Sequence, residues 1–339
     1  MQKSAPTPYR PVIGITMGDP AGIGPEIILS LLSSKEICSV CIPVVIGCGA
    51  VLDAAAELIG VRNPCKRISG PGAISPESPD PLLMDLANIQ IGEYSIGRIS
   101  AKAGRASVEY LFRAIELAKN GDIHAIVTAP IHKEALHRAG FIYAGHTEIL
   151  AERTGSTNYA MMLIGGPIRV VLVTTHIPLK EVPSRITIEG VLQKIRLADQ
   201  GMRDLDFDHP RIAVAGLNPH GGEGGIFGRE EQEIISPAVA QAWEQGIDVT
   251  GPLPPDTVFY QAYHGRYHAV VCMYHDQGLI PLKMIAFDSG VNVTLGLPII
   301  RTSVDHGTAF DIAGKGTANP ASLTEAVKLA VRLVRNKTG

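Results

Sequence analysis

The sequence lacks the features that membrane-spanning and nucleic-acid-binding proteins need. No run of about 20 apolar residues occurs in the 339-residue chain, so no segment is predicted to cross a bilayer. Positive charge is not in excess, because 30 Lys and Arg residues stand against 33 Asp and Glu residues and the net charge is −3. Nucleic acid and anionic membranes are therefore not expected as partners.

Cysteines are few, and a secretory signal is not recognisable. The five cysteines lack the spacing of a disulfide framework: Cys38, Cys41, Cys48, Cys65 and Cys272. Their single C-x-x-C pair favours small buried thiols over zinc or redox chemistry. The amino terminus, MQKSAPTPYRP, has prolines where a signal peptide would have an apolar run. We therefore expect a cytoplasmic protein with reduced thiols.

The glycine-rich segments lack the common nucleotide-binding fingerprints. Residues 47–49 (GCG) have no third glycine, and residues 218–225 (NPHGGEGG) match neither a P-loop nor a dinucleotide motif. Residues 18–26 (GDPAGIGPE) are a better candidate, because a helix is predicted to begin at Pro25. Backbone amides at such a helix start could hold a phosphate or the edge of a cofactor.

The sequence does contain a regular alternation of β-rich and helical segments. Strands are predicted at residues 12–17, 42–46, 125–127, 169–173, 212–215 and 269–273. Helices are predicted from residue 25 and at 50–59, 107–118, 187–198, 230–245 and 322–334, with a loop or domain seam at 69–81. With 45% hydrophobic residues, this pattern predicts an α/β fold with parallel strands, as two domains or one large unit.

Three of the predicted strands are followed by histidines. His176, His220 and His275 come two to five residues after apolar runs. Ligands of open α/β sheets bind beyond the carboxyl ends of the strands, so these side chains could meet at one rim. Three imidazoles could bind one divalent metal such as Zn, Fe, Co or Ni. Alternatively, each histidine only caps a strand end and bonds to neighbouring backbone.

Several further polar residues suggest an anionic substrate. His146 and Thr147 begin a predicted helix, where they could cap it or donate hydrogen bonds to an anion. Lys283 and Arg301 both follow apolar runs, and burying a cation without an anion is costly. Two cations beside a metal point to a substrate that carries carboxylate and phosphate groups.

Residues 306–320, HGTAFDIAGKGTANP, resemble the adenine-binding loop of the isocitrate and isopropylmalate dehydrogenases. Those enzymes bind NAD(P) without the usual glycine fingerprint. The resemblance implies that His306 and Asn319 contact the adenine of an NAD or NADP cofactor.

A longer set of motifs resembles the 4-hydroxythreonine-4-phosphate dehydrogenase (PdxA) family of vitamin B6 synthesis, over residues 12–334. The motifs are ITMGDPAGIGPE, GHTE, TTHIPL, GLNPHGGEGG, GPLPPDT, MYHDQG, GVNVTLGLP and RTSVDHGTA. The resemblance implies a two-domain α/β fold of the isocitrate/isopropylmalate dehydrogenase type, with the active site in the interdomain cleft and shared across a homodimer. We expect residues 1–130 with 285–339 on the cofactor side, and residues 131–284 to carry substrate, metal and dimer contacts.

The same resemblance implies roles for single residues. One divalent metal (Zn, Mg, Co, Mn or Ni) is expected on His176, His220 and His275. The substrate-binding residues are expected to be His146, Thr147, Lys283, Asn292 and Arg301. Lys283 and Asp256 are the expected catalytic residues. The implied reaction is the NAD(P)-dependent oxidation, with decarboxylation, of a 4-phosphorylated four-carbon 3-hydroxy acid.

Three alternatives to that reaction stay open. A sister branch oxidises 4-phospho-threonate or 4-phospho-erythronate in sugar-acid breakdown, and residues 280–283 (IPLK) and 309–314 (AFDIAG) look more like that branch. A metal-dependent hydrolase could use three histidines and a water, but would leave the adenine-loop match unexplained. A sugar-phosphate-binding protein would need no metal. A binding signal on adding NAD separates a dehydrogenase from the last two.

Overall fold

The computed structural model describes residues 9–75 and 77–338. The expected absence of a signal peptide rests largely on residues 1–8, which lie outside the described residues. The chain divides into two compact units, Met1–Gly155 with Pro298–Gly339, and Ser156–Leu297. Within the described residues, no helix has the length and apolar character needed to cross a membrane. The five cysteines are free thiols, and Cys41, Cys48 and Cys272 are buried.

The described residues contain twelve strands and twelve α-helices. The strands are β1 (Val12–Thr16), β2 (Ile42–Gly47), β3 (Lys66–Ile68), β4 (Leu82–Asp85), β5 (Ala125–Thr128), β6 (Ala160–Gly165), β7 (Ile168–Leu172), β8 (Ile212–Ala215), β9 (Val249–Leu253), β10 (Ala269–Cys272), β11 (Val291–Leu295) and β12 (Ile300–Val304). The helices are α1 (Gly24–Leu32), α2 (Lys35–Val40), α3 (Gly49–Leu58), α4 (Ala101–Asn120), α5 (Lys133–Arg138), α6 (His146–Thr154), α7 (Val182–Arg185), α8 (Ile188–Asp204), α9 (Ser236–Glu244), α10 (Pro255–Tyr263), α11 (His275–Ala286) and α12 (Ala321–Thr338). Short 3₁₀ turns lie at Pro71–Ala73, Leu179–Glu181 and Pro219–Gly225, and a π-helical turn at Glu231–Ile235.

The first unit is built on six parallel strands in the order β3-β4-β2-β1-β5-β12. Every residue of β1, β2 and β5 is buried, which is typical of parallel strands covered on both faces. Helix α4 covers this sheet with buried Val108, Leu111 and Ile115, as the apolar stripe predicts. Ser100 caps its start, and Gly121 ends it in the left-handed conformation.

The second unit holds the strands β11-β6-β7-β10-β8-β9 in that order. Strands β7, β10, β8 and β9 run parallel, whereas β6 pairs antiparallel with both β11 and β7. All six predicted strands and all six predicted helices are found, the region 230–245 being a π-helical turn continued by α9. The predicted α/β class with parallel strands is therefore confirmed.

The unit boundaries fall further along the chain than the predicted residues 130 and 285. Residues 131–155 pack on α4 at two places. Gly104 of α4 lies so close to the Ala135 carbonyl that a side chain there would overlap it. The Arg153 guanidinium lies 3.7 Å from the ring centroid of Phe112, which is also on α4. Residues after 285 include β11, which pairs with β6 of the second unit. These contacts join residues distant in the chain, so local patterns did not reveal them.

Candidate active site

The predicted metal ligands follow three neighbouring strands of the second unit. Strands β7, β10 and β8 lie side by side and parallel, so their carboxyl ends meet at one edge. His176 follows β7, His220 lies in the turn after β8, and His275 is the first residue of α11 after β10. The strands are buried, while His176 and His220 are exposed and His275 is half-buried. All three therefore lie at the solvent-facing rim.

Two of these rings lie together. The centroids of His176 and His275 are 5.7 Å apart, with 42° between the ring planes. Two imidazoles that bind one zinc ion through Zn–N bonds of about 2.0–2.1 Å place their centroids roughly 5 to 6 Å apart. Nδ1 of His275 lies 2.7 Å from Oδ1 of Asp276, which leaves Nε2 for a metal, and carboxylates commonly orient metal-binding histidines in this way. This pair fits a divalent cation.

His220 is not gathered with that pair. Within residues 9–75 and 77–338, no three or more His, Cys, Asp or Glu side chains form a group that could hold a metal. The ring of His220 lies 6.1 Å from that of Phe227. Residues 220–224 all have left-handed backbone, with φ of 54° at His220 and 43° at Glu223, a conformation that is strained for non-glycine residues. The three-histidine set therefore stays a prediction, and only the rings of His176 and His275 lie next to each other.

The other predicted residues of the second unit lie on three elements. Lys283 is half-buried on α11, eight residues after His275 and thus about 12 Å further along the helix axis. Its Nζ lies 5.7 Å from the Phe287 ring centroid. Asn292 is on β11, and its Oδ1 is buried with no hydrogen-bond partner in the described residues, so a ligand could donate a hydrogen bond to it. Asp256 is an exposed carboxylate in the first turn of α10.

The first unit contains a buried cationic site. Arg301 is only 2% exposed on β12, and its Nη2 donates a 2.8 Å hydrogen bond to Oγ1 of Thr128. His146 and Thr147 occupy the first two positions of α6, as predicted, and Thr147 is buried. Amide groups at the start of a helix favour anions, and guanidinium groups bind carboxylate and phosphate.

Burial shifts both ionisable side chains of this site, Arg301 and His146, towards their neutral forms. Burial lowers the pKa of Arg301 to about 9, and the Glu148 carboxylate offsets this only in part. Burial and then the Arg301 guanidinium lower the pKa of His146 well below 6.5, so its ring is neutral at pH 7. Nε2 of His146 is buried and lacks a partner among the described residues. A bound anion would favour the charged form of Arg301 and could accept a hydrogen bond from the His146 ring.

The loop that resembles an adenine-binding segment is held by the GDPAGIGPE segment. The carboxylate of Glu26 accepts hydrogen bonds from the amides of Gly314 and Gly316, the second at 2.9 Å, and the Ile23 amide donates to the Thr308 carbonyl at 3.1 Å. Phe310 stacks on His132 with centroids 4.7 Å apart. No role was predicted for Glu26, although its place directly after a glycine-rich segment at a predicted helix start was the available signal.

The predicted cofactor residues lie at the two ends of this loop and are exposed. Nδ1 of His306 lies 3.1 Å from the Gly307 carbonyl oxygen, and Oδ1 of Asn319 accepts a hydrogen bond from the Ala321 amide at 2.9 Å. These contacts leave Nε2 of His306 and Nδ2 of Asn319 available to a ligand. A largely apolar pocket adjoins the loop, lined by Gly22, Glu26, Leu58, Tyr94, Ile96 and Gly314. A fixed loop beside a small apolar pocket could contact part of a flat ring system, as the resemblance to the adenine-binding loop implies.

Four backbone amides that precede the start of α1 already donate hydrogen bonds within the protein. The amide of Asp19 donates to the Pro130 carbonyl and that of Ala21 to Oδ1 of Asp19. The amides of Gly22 and Ile23 donate to the carbonyls of Asp19 and Thr308. These groups fix the loop and are not available to an anion.

Replacing Asp19 with Asn is expected to remove a pH dependence of stability. Asp19 is fully buried, Oδ2 lacks a partner in the described residues, and burial raises its pKa from 3.8 to about 6. The folded state therefore binds this proton more tightly than the unfolded state does. As the pH rises from about 4 through about 6, the free energy of unfolding should fall, by about 3 kcal/mol at most. Denaturant unfolding at about pH 4 and about pH 8 should show Asp19→Asn gaining stability only at the higher pH. An equal effect at both pH values would contradict this account.

The fold and these sites define an α/β protein of two units, with paired imidazoles at a strand edge and a buried cationic site. Its fold is similar to that of the β-decarboxylating dehydrogenase TK0280 from Thermococcus kodakarensis, with a TM-score of 0.52 at 15% identity over 94% of this chain and 82% of that one. The model of the family described as "Pyridoxal phosphate biosynthetic protein PdxA" matches residues 39–330. The chain belongs to the PdxA family.

Individual relatives confirm this resemblance. The chain is 50% identical over 327 residues, 96% of each chain, to 4-hydroxythreonine-4-phosphate dehydrogenase of Desulforapulum autotrophicum. It is 46% identical to D-threonate 4-phosphate dehydrogenase of Pectobacterium atrosepticum, over 95% of this chain and 99% of that one. The crystal structure of 4-hydroxythreonine-4-phosphate dehydrogenase from Klebsiella pneumoniae is similar over 96% of this chain and 98% of that chain, with a TM-score of 0.88 and 44% identity.

Proposed function

We propose that the chain is an NAD(P)- and divalent-metal-dependent dehydrogenase that oxidises and decarboxylates 4-hydroxy-L-threonine 4-phosphate, as in pyridoxal phosphate biosynthesis. The observation that carries this proposal is the buried guanidinium of Arg301 beside His146, whose buried Nε2 has no hydrogen-bond partner among the described residues. Family membership and the 50% identical relative of that activity support the choice of substrate.

On the first unit, Arg301, His146 and Thr147 would bind one anionic end of the substrate. The guanidinium supplies charge, and the neutral imidazole supplies a hydrogen bond without adding a second positive charge. The loop held by Glu26 would bind the cofactor, with His306 and Asn319 at its ends. NAD(P) would supply the hydride acceptor.

On the second unit, His176 and His275 would hold the metal, with His220 as the proposed third ligand. A bound divalent metal would act as a Lewis acid that eases loss of the substrate hydroxyl proton. Lys283 and Asp256 are the proposed catalytic residues, and Lys283 together with Asn292 would also orient the substrate. The unpartnered Oδ1 of Asn292 supports this, because a substrate hydroxyl or ammonium group can donate to it.

We further propose that the protein acts as a cytoplasmic homodimer whose second copy covers α11. Ile280 and Met284 on α11, and Phe287 directly after it, are exposed by 62%, 83% and 75%, at spacings of four and three residues on one helical face. Large apolar side chains grouped in this way mark protein interfaces.

Replacing Met284 with Glu is therefore expected to convert the dimer into monomers, because a buried charge without a partner opposes association. Sedimentation analysis would measure the mass of both forms. Ile142→Glu, at an isoleucine of the first unit that is 89% exposed, is the matched control and should leave the dimer intact. An unchanged mass for Met284→Glu would place the interface elsewhere.

A direct comparison of three candidate acids would identify the substrate. Purified protein would receive 4-hydroxy-L-threonine 4-phosphate, 4-phospho-D-threonate or 4-phospho-D-erythronate with NAD or NADP, and cofactor reduction would be followed. The highest kcat/KM is expected for the first acid. Preference for either sugar acid would favour the second candidate, which the 46% identical D-threonate 4-phosphate dehydrogenase supports. Hydrolysis, or binding without cofactor reduction, would instead indicate the hydrolase or binding-protein alternative.

A further inference from the structure

A single buried amide joins the strand ends that carry two of the predicted metal ligands. Gln277 is 7% exposed in the first turn of α11. Its Oε1 accepts a 2.7 Å hydrogen bond from the amide of Met273, directly after β10. Its Nε2 donates a 2.7 Å hydrogen bond to the carbonyl of Gly216, directly after β8. Gln277 thus connects the backbone that leads to His275 with the backbone that leads to His220.

Two further buried side chains extend this connection. Oγ1 of Thr174 donates a 2.7 Å hydrogen bond to the Met273 carbonyl, which ties the segment before His176 to the end of β10. The carboxylate of Glu231, 2% exposed, accepts from the amides of Leu217 at 2.8 Å and Asn218 at 2.7 Å, in the segment before His220. Each of the three segments that carry a histidine is therefore hydrogen-bonded just before that histidine, and Gln277 bonds to two of them.

We propose that Gln277 is a positioning residue of the metal centre, whose amide sets the separation between the segments that carry His275 and His220. The hydrogen bonds of Gln277 go to backbone groups that follow two strands and not to an imidazole. The inference rests on the proposed function in one respect, since the metal itself belongs to that proposal.

The side-chain amide of Gln277 can link the two segments because its oxygen accepts a hydrogen bond and its nitrogen donates one. One partner is a backbone donor and the other is a backbone acceptor, so the side chain must accept on one side and donate on the other. A carboxylate accepts on both sides and cannot donate to the Gly216 carbonyl. Buried groups left without partners are strongly disfavoured, so the two strand ends would separate or rotate. A metal site loses affinity when the support of its ligands is disturbed, by about 10- to 100-fold.

Gln277→Glu, studied at a pH high enough to ionise the new carboxyl group, tests the inference, because it is nearly isosteric and keeps the bond from the Met273 amide while it loses the donor to the Gly216 carbonyl. Thr302→Val is the matched control: Thr302 is fully buried on β12 of the first unit, and its Oγ1 donates a 2.8 Å hydrogen bond to the Ala326 carbonyl. Two quantities would be measured on the full chain. Hydrogen–deuterium exchange of residues 216–221 and 273–278 would be recorded without metal, and Co²⁺ affinity would be obtained from its absorption spectrum.

For Gln277→Glu, faster exchange in both segments and a 10- to 100-fold loss of Co²⁺ affinity are expected. Thr302→Val should show neither change, even if it lowers the Tm by as much as Gln277→Glu does. Unchanged exchange, or Co²⁺ affinity equal to that of the wild type, would overturn the inference. If Gln277→Glu does not fold, Gln277→Met takes its place, with the same outcomes deciding. A wild-type protein that binds no Co²⁺ would refute the proposed metal centre, and the exchange data would still decide whether Gln277 ties the two segments.

Discussion

Replacing His275 with Gln is expected to remove the bound metal and lower kcat by about 10³-fold or more, while the protein still folds. His275 pairs with His176 at the strand edge, so its loss would leave one of the two adjacent imidazoles. The fold should persist because the half-buried ring lies outside the packed apolar cluster of β7, β8, β10 and α11. Metal content by elemental analysis, kcat and Tm would be measured together.

The control for this prediction is His264→Gln in the same unit. His264 is exposed after α10, and its ring contacts Tyr260 at 4.4 Å between centroids, outside the strand edge. Metal content and kcat should stay at the wild-type level in this variant. If His275→Gln unfolds the protein, or retains metal and activity, His275 is a structural residue and the proposed metal centre is wrong.

Replacing Arg301 with Met is expected to raise the substrate KM by about 10²- to 10³-fold, because charge-assisted hydrogen bonds to an anion are lost. Stability should be unchanged or should increase, since an apolar side chain of similar size avoids burying a cation. The pKa of His146 should rise, because the guanidinium that helps to lower it is removed, although burial still holds that pKa below 6.5. Kinetics, Tm and an NMR titration of His146 measure these effects.

Arg301→Lys separates charge from geometry in this prediction. Lysine keeps the positive charge but not the planar fork that binds a carboxylate or phosphate through two hydrogen bonds. An intermediate KM is therefore expected. A KM near the wild-type value in Arg301→Met would show that the substrate anion is bound elsewhere, and a large loss of Tm would show that Arg301 is mainly structural.

The strand edge was predictable because it depends on a local pattern. Buried parallel strands are continuous apolar runs, and a histidine just after such a run lies at the carboxyl edge whatever the tertiary packing. The pairing of His176 with His275 follows from the adjacency of β7 and β10, which the sequence did not specify. The position of His220 depends on a run of left-handed residues that no sequence pattern predicted.

Helix α11 was missed because its sequence argues against a helix. Residues 274–278 look like a polar strand end, and Pro281 inside the helix is normally unfavourable. The helix forms because Leu279 and Leu282 pack into the apolar cluster with Val170 and Leu172 of β7. Tertiary burial thus outweighs local preference, and the role of Gln277 could be recognised only once α11 and its two strand partners were known.

The most direct measurement is NADH formation by purified protein given NAD and 4-hydroxy-L-threonine 4-phosphate, before and after removal of divalent metal by a chelator. The account predicts turnover in the metal-loaded protein, none after chelation, and recovery when Zn²⁺ or Co²⁺ is restored. Full turnover in excess chelator would contradict the metal centre. If the metal-loaded protein formed no NADH from this acid or from the two 4-phospho-sugar acids, the assignment as a dehydrogenase of phosphorylated four-carbon acids would be wrong.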